Sequence, residues 1–418
     1  MAVSTSTGFP LPQELTDMII GELKGNPSSL FACSLTCRSF LSPSRRQIFS
    51  AVGFDNADHI RRFYVICTES PEISSCVNHL FLQNFSHWSV TADEHLTPIV
   101  KSLVNLESLS LHDVSFRDLS KELTTMLSSC PLKVLALWDL TVDDTQALCS
   151  FLRHCHQLHT MSISGNLIVT DGQADVSMCE HNDPSPVSSL RHLVITCTPG
   201  SRRILDTILT YPTPPVRIDR LEHLTIRMQY DGDPYDHFSL ENLSLLKTII
   251  DLNRDNDTLI RVSAPFILTY IDRHTPSPFD LPLSHLRALS LDLGDFPDIL
   301  RVSPLPILGW WTNALRPSPN VPTRLESLTI RLYLDAHSTH FRSSAGKEAW
   351  ANLDSVLGDD SYPLRRLTIR LMGSKDYRLG EISNALDVTE NIIRGSMPRL
   401  VQKGALDSDE EDYWGIVY

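Results

Sequence analysis

The chain has 418 residues, 42% of them hydrophobic, and a formal net charge of −14, which suits two or three globular domains of ordinary size. The acidic balance excludes a surface that holds nucleic acid or an anionic membrane along its length, and no run approaches the roughly 18 apolar residues that would span a bilayer. The N-terminal MAVSTSTGFPLPQEL has neither a basic n-region nor an apolar h-region, and the nine cysteines follow no framework, so an intracellular protein, cytoplasmic or nuclear, is expected. In such a compartment the sequons at Asn84, Asn242 and Asn256 are chance matches.

Residues 1–8 are expected to be disordered. Residues 9–52 are expected to form a helical domain, because Pro12, Pro27 and Pro43 each suit a first helical position, with Asn26 and Ser42 as N-caps for the second and third helices. In the first helix Leu15, Met18, Ile19 and Leu23 recur at helical spacing, opposite Gln13, Glu14, Asp17 and Glu22. Leu30, Cys33 and Cys37, followed by Phe40 and Leu41, continue the pattern in the second. Cys33 and Cys37 then sit one turn apart on an apolar face, where a free thiol behaves as a small hydrophobe, and without a His or Cys partner nearby they make a poor zinc site. About 45 residues bury little surface alone, so an apolar face left over here should meet a partner.

The run FPLPQELTDMIIGEL followed by SLFACSLTCRSFLSPSRRQIF resembles an F-box, the adaptor-binding module of SCF-type ubiquitin ligases, in the style common among mushroom-forming fungi. The likeness covers nearly the whole motif, with Phe40 where Trp is more usual. The resemblance implies that Leu11, Pro12, Leu15, Ile19, Leu23, Leu30, Cys33, Cys37 and Phe40 face the Skp adaptor or support the surface that does. An N-terminal helical cap on the following domain is the alternative.

After a connecting segment at 53–75, residues 76–400 are expected to form a leucine-rich-repeat-like α/β solenoid with a parallel concave sheet. The pattern Leu-x-x-Leu-x-Leu recurs as VNHLFL at Val77, LESLSL at Leu106, LKVLAL at Leu132, LHTMSI at Leu158, LRHLVI at Leu190, LEHLTI at Leu221, LRALSL at Leu286, LESLTI at Leu325 and LRRLTI at Leu364. A degenerate unit is expected from Leu246, where LKTIIDLNRDNDTLIRVSAP aligns with LRALSLDLGDFPDILRVSPL from Leu286. Each short strand would bury its Leu positions against a return segment and its neighbours. Return helices are expected in RDLSKELTTMLSSC, DDTQALCSFLRHC, SRRILDTILTY, GKEAWANLDSVL and GEISNALDVTENII. Residues 401–418 read as a mobile acidic tail, with Ser408 a weak candidate for phosphorylation.

Motifs for chemistry are sparse. The chain lacks a Gly-x-Ser-x-Gly elbow, a phosphate-cradling Gly-rich loop and a His-Glu-x-x-His pair. The densest ligand set is CSFLRHCHQLH, with Cys149, His154, Cys155, His156 and His159. Cys76, Cys130 and Cys155 all precede a strand, however, so repeat packing accounts for them. DGDPYD has three Asp but lacks the Gly and terminal Glu of a calcium loop. No metal, no cofactor and no enzymatic activity are expected.

Strand alternation turns Ser110, Ala136, Ser162, Val194, Thr225, Thr329 and Thr368 toward the concave face, and one step on Trp138, Arg227, Asp292, Arg331 and Arg370. Phe81 and Trp138 are candidate anchors for a target, and Arg227, Arg331 and Arg370, with Arg366 at the rim, a candidate anion-reading stripe. Paired in register, Arg331 and Arg370 would be like charges side by side, requiring an anion from Asp292 or Asp335, or from an acidic or phosphorylated target. The resemblance then implies a substrate receptor that docks the Skp adaptor, and through it a cullin-RING ligase, and presents a protein target of unknown identity. A non-ligase interaction scaffold on the same surface is the alternative; a hydrolase in the irregular second half would need a nucleophile motif that the sequence lacks.

Overall fold

A computed structural model describes residues 12–84, 89–143, 145–165, 167–169, 187–211, 213–228, 238–254, 256, 259–263, 281–293, 305–317, 321–334, 340–360, 362–373 and 379–410. The chain is α/β with parallel strand pairing, and it divides into two compact units, Met1–His159 with Asn166–Ser188, and Thr160–Gly165 with Ser189–Tyr418. Among the described residues no helix is long and apolar enough to cross a membrane.

The first unit opens with helices α1 (Gln13–Glu22), α2 (Pro27–Thr36) and α3 (Arg38–Ile48). Pro27 fills the first position of α2 and the Asn26 side chain caps it, accepting from the Ser29 N–H at 3.1 Å, as the sequence leads one to expect. The start of α3 differs: it begins at Arg38, so Pro43 lies inside the helix rather than at its first turn, and Ser42 is not its cap. The break falls instead at Cys37, whose extended backbone (φ −156°, ψ 163°) ends α2 and admits α3 one residue later. Cys37 therefore leaves the helical face it was expected to share with Cys33, and its side chain is exposed. Both α1 and α2 pack on α3.

The sheet of this unit is β1 (Ala51–Phe54), β2 (His79–Gln83), β3 (Ser108–His112) and β4 (Val134–Trp138), in that spatial order and all parallel. Alternation decides the faces: Leu80, Leu109 and Leu135 form one fully buried row and Leu82, Leu111 and Leu137 the next, while His79, Phe81, Ser110, Ala136 and Trp138 on the other face are half-buried. Full burial of each such Leu is worth about 1.5–3 kcal/mol. Helices α4 (Ala57–Glu69), α5 (Leu96–Ser102), α6 (Lys121–Ser129) and α7 (Thr145–His154) alternate with the strands; α4 and α6 are capped by the Asn56 and Ser120 side chains. The segment 53–75, expected to be only a connection, therefore supplies the end of β1 and all of α4. Each unit is entered by the same step: the Ser50 carbonyl accepts from Asn78 and His79 N–H, the Asn78 carbonyl from Glu107 and Ser108, and the Glu107 carbonyl from Lys133 and Val134.

In the second unit the parallel order is β5 (Thr160–Ser164), β6 (His192–Cys197), β7 (His223–Met228), β8 (Leu259–Ser263), β9 (Ala288–Leu293), β10 (Ser327–Leu334), β11 (Arg366–Gly373) and β12 (Leu406–Glu410). The same carbonyl step recurs from Arg191 to Glu222 and His223, from Arg287 to Glu326 and Ser327, and from Glu326 to Arg365 and Arg366. The expected return helices are α8 (Pro199–Thr210), α11 (Ser344–Leu357) and α12 (Leu379–Ser396), with α8 held by a Thr198/Ser201 capping box; α9 (Phe238–Leu252) and α10 (Leu305–Ala314) were not anticipated. The degenerate unit is misplaced in the sequence reading. Leu246 lies in α9 and the strand is thirteen residues later than Leu246, at Leu259, because Asp257 occupies the position where the other units carry their first Leu. Buried Asn253 closes that turn, accepting from the Leu221 N–H at 2.8 Å and donating to the Ile218 carbonyl at 2.8 Å. The segment expected to be an acidic tail adds strand β12, in register with β11 from Leu367↔Leu406 to Leu371↔Glu410.

Candidate functional site

The N-terminal helices expose apolar side chains that a folded chain ordinarily buries. On α1, Ile20 is 0% exposed, whereas Leu15, Met18 and Ile19, spaced to share one face, are 41%, 61% and 45% exposed. On α2, Leu30 is buried and the pair Phe31 and Leu35, one turn apart, is 54% and 86% exposed. Thirteen large hydrophobics are exposed among the described residues, and these five fall on two consecutive helices, a clustering that makes these helices a candidate interaction surface. Of the residues the F-box likeness points to, Pro12, Leu15, Ile19 and Cys37 are exposed, Leu23, Cys33 and Phe40 are half-buried, Leu30 is buried beneath them, and Leu11 lies outside the described residues. The Cys37 thiol is held below its ordinary range by hydrogen bonding, chiefly with the Ser39 hydroxyl at 2.9 Å. Met18, Phe31 and Leu35 belong to this surface by exposure; the i, i+4 spacing of the last two was the signal in the sequence.

Arg46 reaches back to Asp17 at 3.3 Å, and Arg45 to Glu72 at 3.6 Å, so α3 is tied both to α1 and to the start of the repeating structure. Both pairs are exposed and contribute at most about 1 kcal/mol each.

A second candidate surface is the open face of the sheet. In the second unit, register sets Asp292 opposite Arg331, Arg331 opposite Arg370, and Arg370 opposite Asp409. Neighbouring strands lie about 4.8 Å apart, so the two arginines are adjacent like charges, each with an acidic position on its far side. Both are half-buried, with Nε enclosed. Arg366 donates from Nη2 to Asp407 Oδ2 at 2.8 Å. Acidic positions within the chain thus flank three of the four stripe arginines, and two of these acids come from β12. Arg227 pairs in register with Thr196 and Ser263; its side chain, like Asp335 and the DGDPYD loop, lies outside the described residues. Beneath the arginines, Ser290 and Thr368 are buried in the next outward row.

In the first unit the outward-turned strand positions carry aromatic rings. His112 lies between Phe81, at 6.1 Å between ring centroids, and Trp138, at 6.2 Å and nearly parallel. The expected anchors Phe81 and Trp138 are therefore joined through a histidine that the sequence reading passed over.

The Cys/His set of α7 is pulled apart. Cys149 and Cys155 are buried, while His154 and His156 are exposed. Cys155 donates to the Phe151 carbonyl, and burial, with the Cys130 thiol adding, pushes its pKa up to about 12. The described residues bring no group of three or more His, Cys, Asp or Glu into a position to hold a metal ion. Comparison with protein-family models and with curated proteins finds no match for the chain.

Proposed function

We propose that this chain is the substrate-recognition subunit of an SCF-type ubiquitin ligase, binding the Skp adaptor through α1–α3 and a protein target through the open face of a leucine-rich-repeat-like solenoid. The observation that carries the reading is the exposure of Leu15 and Ile19, with Met18, Phe31 and Leu35, in the segment that resembles an F-box. These side chains gain by burial against a partner, and a single central anchor of this kind accounts for about 2–4 kcal/mol of affinity. The chain itself performs no chemistry: cullin, RING protein and ubiquitin-conjugating enzyme transfer ubiquitin, and this subunit contributes proximity. The ties from α3 to Glu72 and from the Ser50 carbonyl to the first repeat favour a second reading, in which the helices cap the sheet and the chain is a non-ligase scaffold. Co-purification decides between them. Cullin recovered with the tagged chain supports the receptor; adaptor without cullin, or neither, supports the scaffold.

A further inference from the structure

The aromatic row of the first unit has an acidic rim. His112 Nε2 is 3.4 Å from Asp139 Oδ2, and its Nδ1 is 3.7 Å from Asp113 Oδ2. Asp113 and Asp139 hold equivalent places, each directly after its strand, and both adopt left-handed backbone (φ 54° and 50°). The backbone repeats with them: Asn84 N–H donates to the His112 carbonyl at 3.1 Å, and Asp113 N–H to the Trp138 carbonyl at 3.0 Å. The strand positions that turn to this face, from Ala51, His79, Ser108 and Val134 through Phe81, Ser110 and Ala136 to Gln83, His112 and Trp138, include no Lys or Arg. Half-buried aromatic faces beside two carboxylates, on a strand face without Lys or Arg, form a receptor for a planar cation: the rings attract it through their quadrupoles and the carboxylates accept its N–H groups.

We propose that Phe81, His112 and Trp138, with Asp113 and Asp139, recognise one arginine side chain of the protein target. Arginine is preferred to lysine because its guanidinium stacks on an indole while donating a planar fork to a carboxylate, whereas an ammonium is a compact and strongly hydrated point charge. The inference rests on the reading of this face as the target surface. It gives an acidic chain a basic feature to read, and it is independent of the arginine row of the second unit.

The test uses the full chain and a fluorescein-labelled Gly-Arg-Gly amide, followed by fluorescence anisotropy, with Gly-Lys-Gly and Gly-citrulline-Gly amides beside it. Citrulline keeps the shape of arginine and removes its charge. The arginine peptide should bind more tightly than the lysine peptide, and the citrulline peptide should not bind. Trp138→Ala should weaken arginine binding by about threefold to tenfold, Trp138→Phe should restore most of it, and Asp113→Asn with Asp139→Asn should weaken it similarly. Asp118→Asn, at an exposed acid elsewhere in the same unit, should change nothing and so separates the site from bulk charge. Binding that is unchanged by Trp138→Ala and by the double Asn variant, or equal for arginine and either replacement, overturns the proposal. Adaptor capture run on the same variants should stay at the wild-type level. Its loss in wild type would count against the ligase reading while leaving the peptide result standing.

Discussion

Arg331 and Arg370 stand directly opposite one another on neighbouring parallel strands, with Asp292 in register beyond the first and Asp409 beyond the second. The register row Asp, Arg, Arg, Asp is formally neutral, with the two like charges at its centre. Replacing both arginines with Ala removes the like-charge pair from half-buried strand positions, so thermal stability should change by less than about 1 kcal/mol. Asp409→Lys, in contrast, would set three cations side by side and should lower Tm at low salt, with recovery on adding salt. Scanning calorimetry of both variants at two ionic strengths checks this; a salt-independent loss in the Lys variant would mean that Asp409 acts through packing of the edge strand.

Neighbouring residues of α1 should behave oppositely. Ile19 is exposed and Ile20 fully buried, so Ile19→Ala should leave the unfolding free energy within about 0.5 kcal/mol of wild type, while Ile20→Ala should cost about 2–5 kcal/mol. Urea unfolding of the two variants reads the difference, and equal losses would show that α1 is oriented otherwise.

The Asn253 side chain makes four hydrogen bonds from a buried position: it accepts from the Leu221 N–H and the Asn256 amide and donates to the Ile218 and Ile249 carbonyls. Asn253→Ala strands those partners and should destabilise by about 1–3 kcal/mol, whereas Asn256→Ala, at a half-buried position, should cost less. Urea midpoints give the order, and the reverse order would place the closure of this turn on Asn256.

The nine strands carrying Leu-x-x-Leu-x-Leu were legible because a period of two with two fully buried rows leaves a strong mark. Three others among the parallel strands β1–β12 were not. Strand β8 has Asp257 at its first Leu position, β1 is four residues long with Gly53 within it, and β12 reads LDSDE, in which Leu406 alone is apolar. These depend on pairing with a neighbour already in place, a tertiary effect that local pattern does not record. Pro43 misled for a related reason: proline suits a first turn, but the break that starts α3 lies in the backbone of Cys37. At the candidate surfaces, Leu15 and Ile19 were readable from helical spacing. The spacing of Phe31 and Leu35 was there to be read, but only the fold shows which stripe of α2 is covered, and His112 became visible only once the fold set its ring beside those of Phe81 and Trp138.

Burial also predicts a pH response. The Cys155 thiol is pushed from its ordinary 9.0 up to about 12, and the Tyr362 phenol from 10.0 up to about 12, each chiefly by desolvation. Both folded values lie above the unfolded ones, so the stabilisation is complete below about pH 9 and is lost as pH rises from there toward 12. Thermal unfolding across pH 8–11 should show a falling Tm, and Cys155→Ala should flatten the part that begins near pH 9. A slope unchanged in that variant would mean that Cys155 does not resist ionisation.

Adaptor binding by the exposed face of α1 is tested by the Kd of purified Skp adaptor for the full chain and for its Leu15→Ala, Ile19→Ala variant. Wild type should bind tightly and the variant should lose roughly 30- to 1000-fold, with its unfolding curve unchanged. Adaptor affinity equal in the two proteins, or no binding to a folded wild-type chain, would contradict binding through this face.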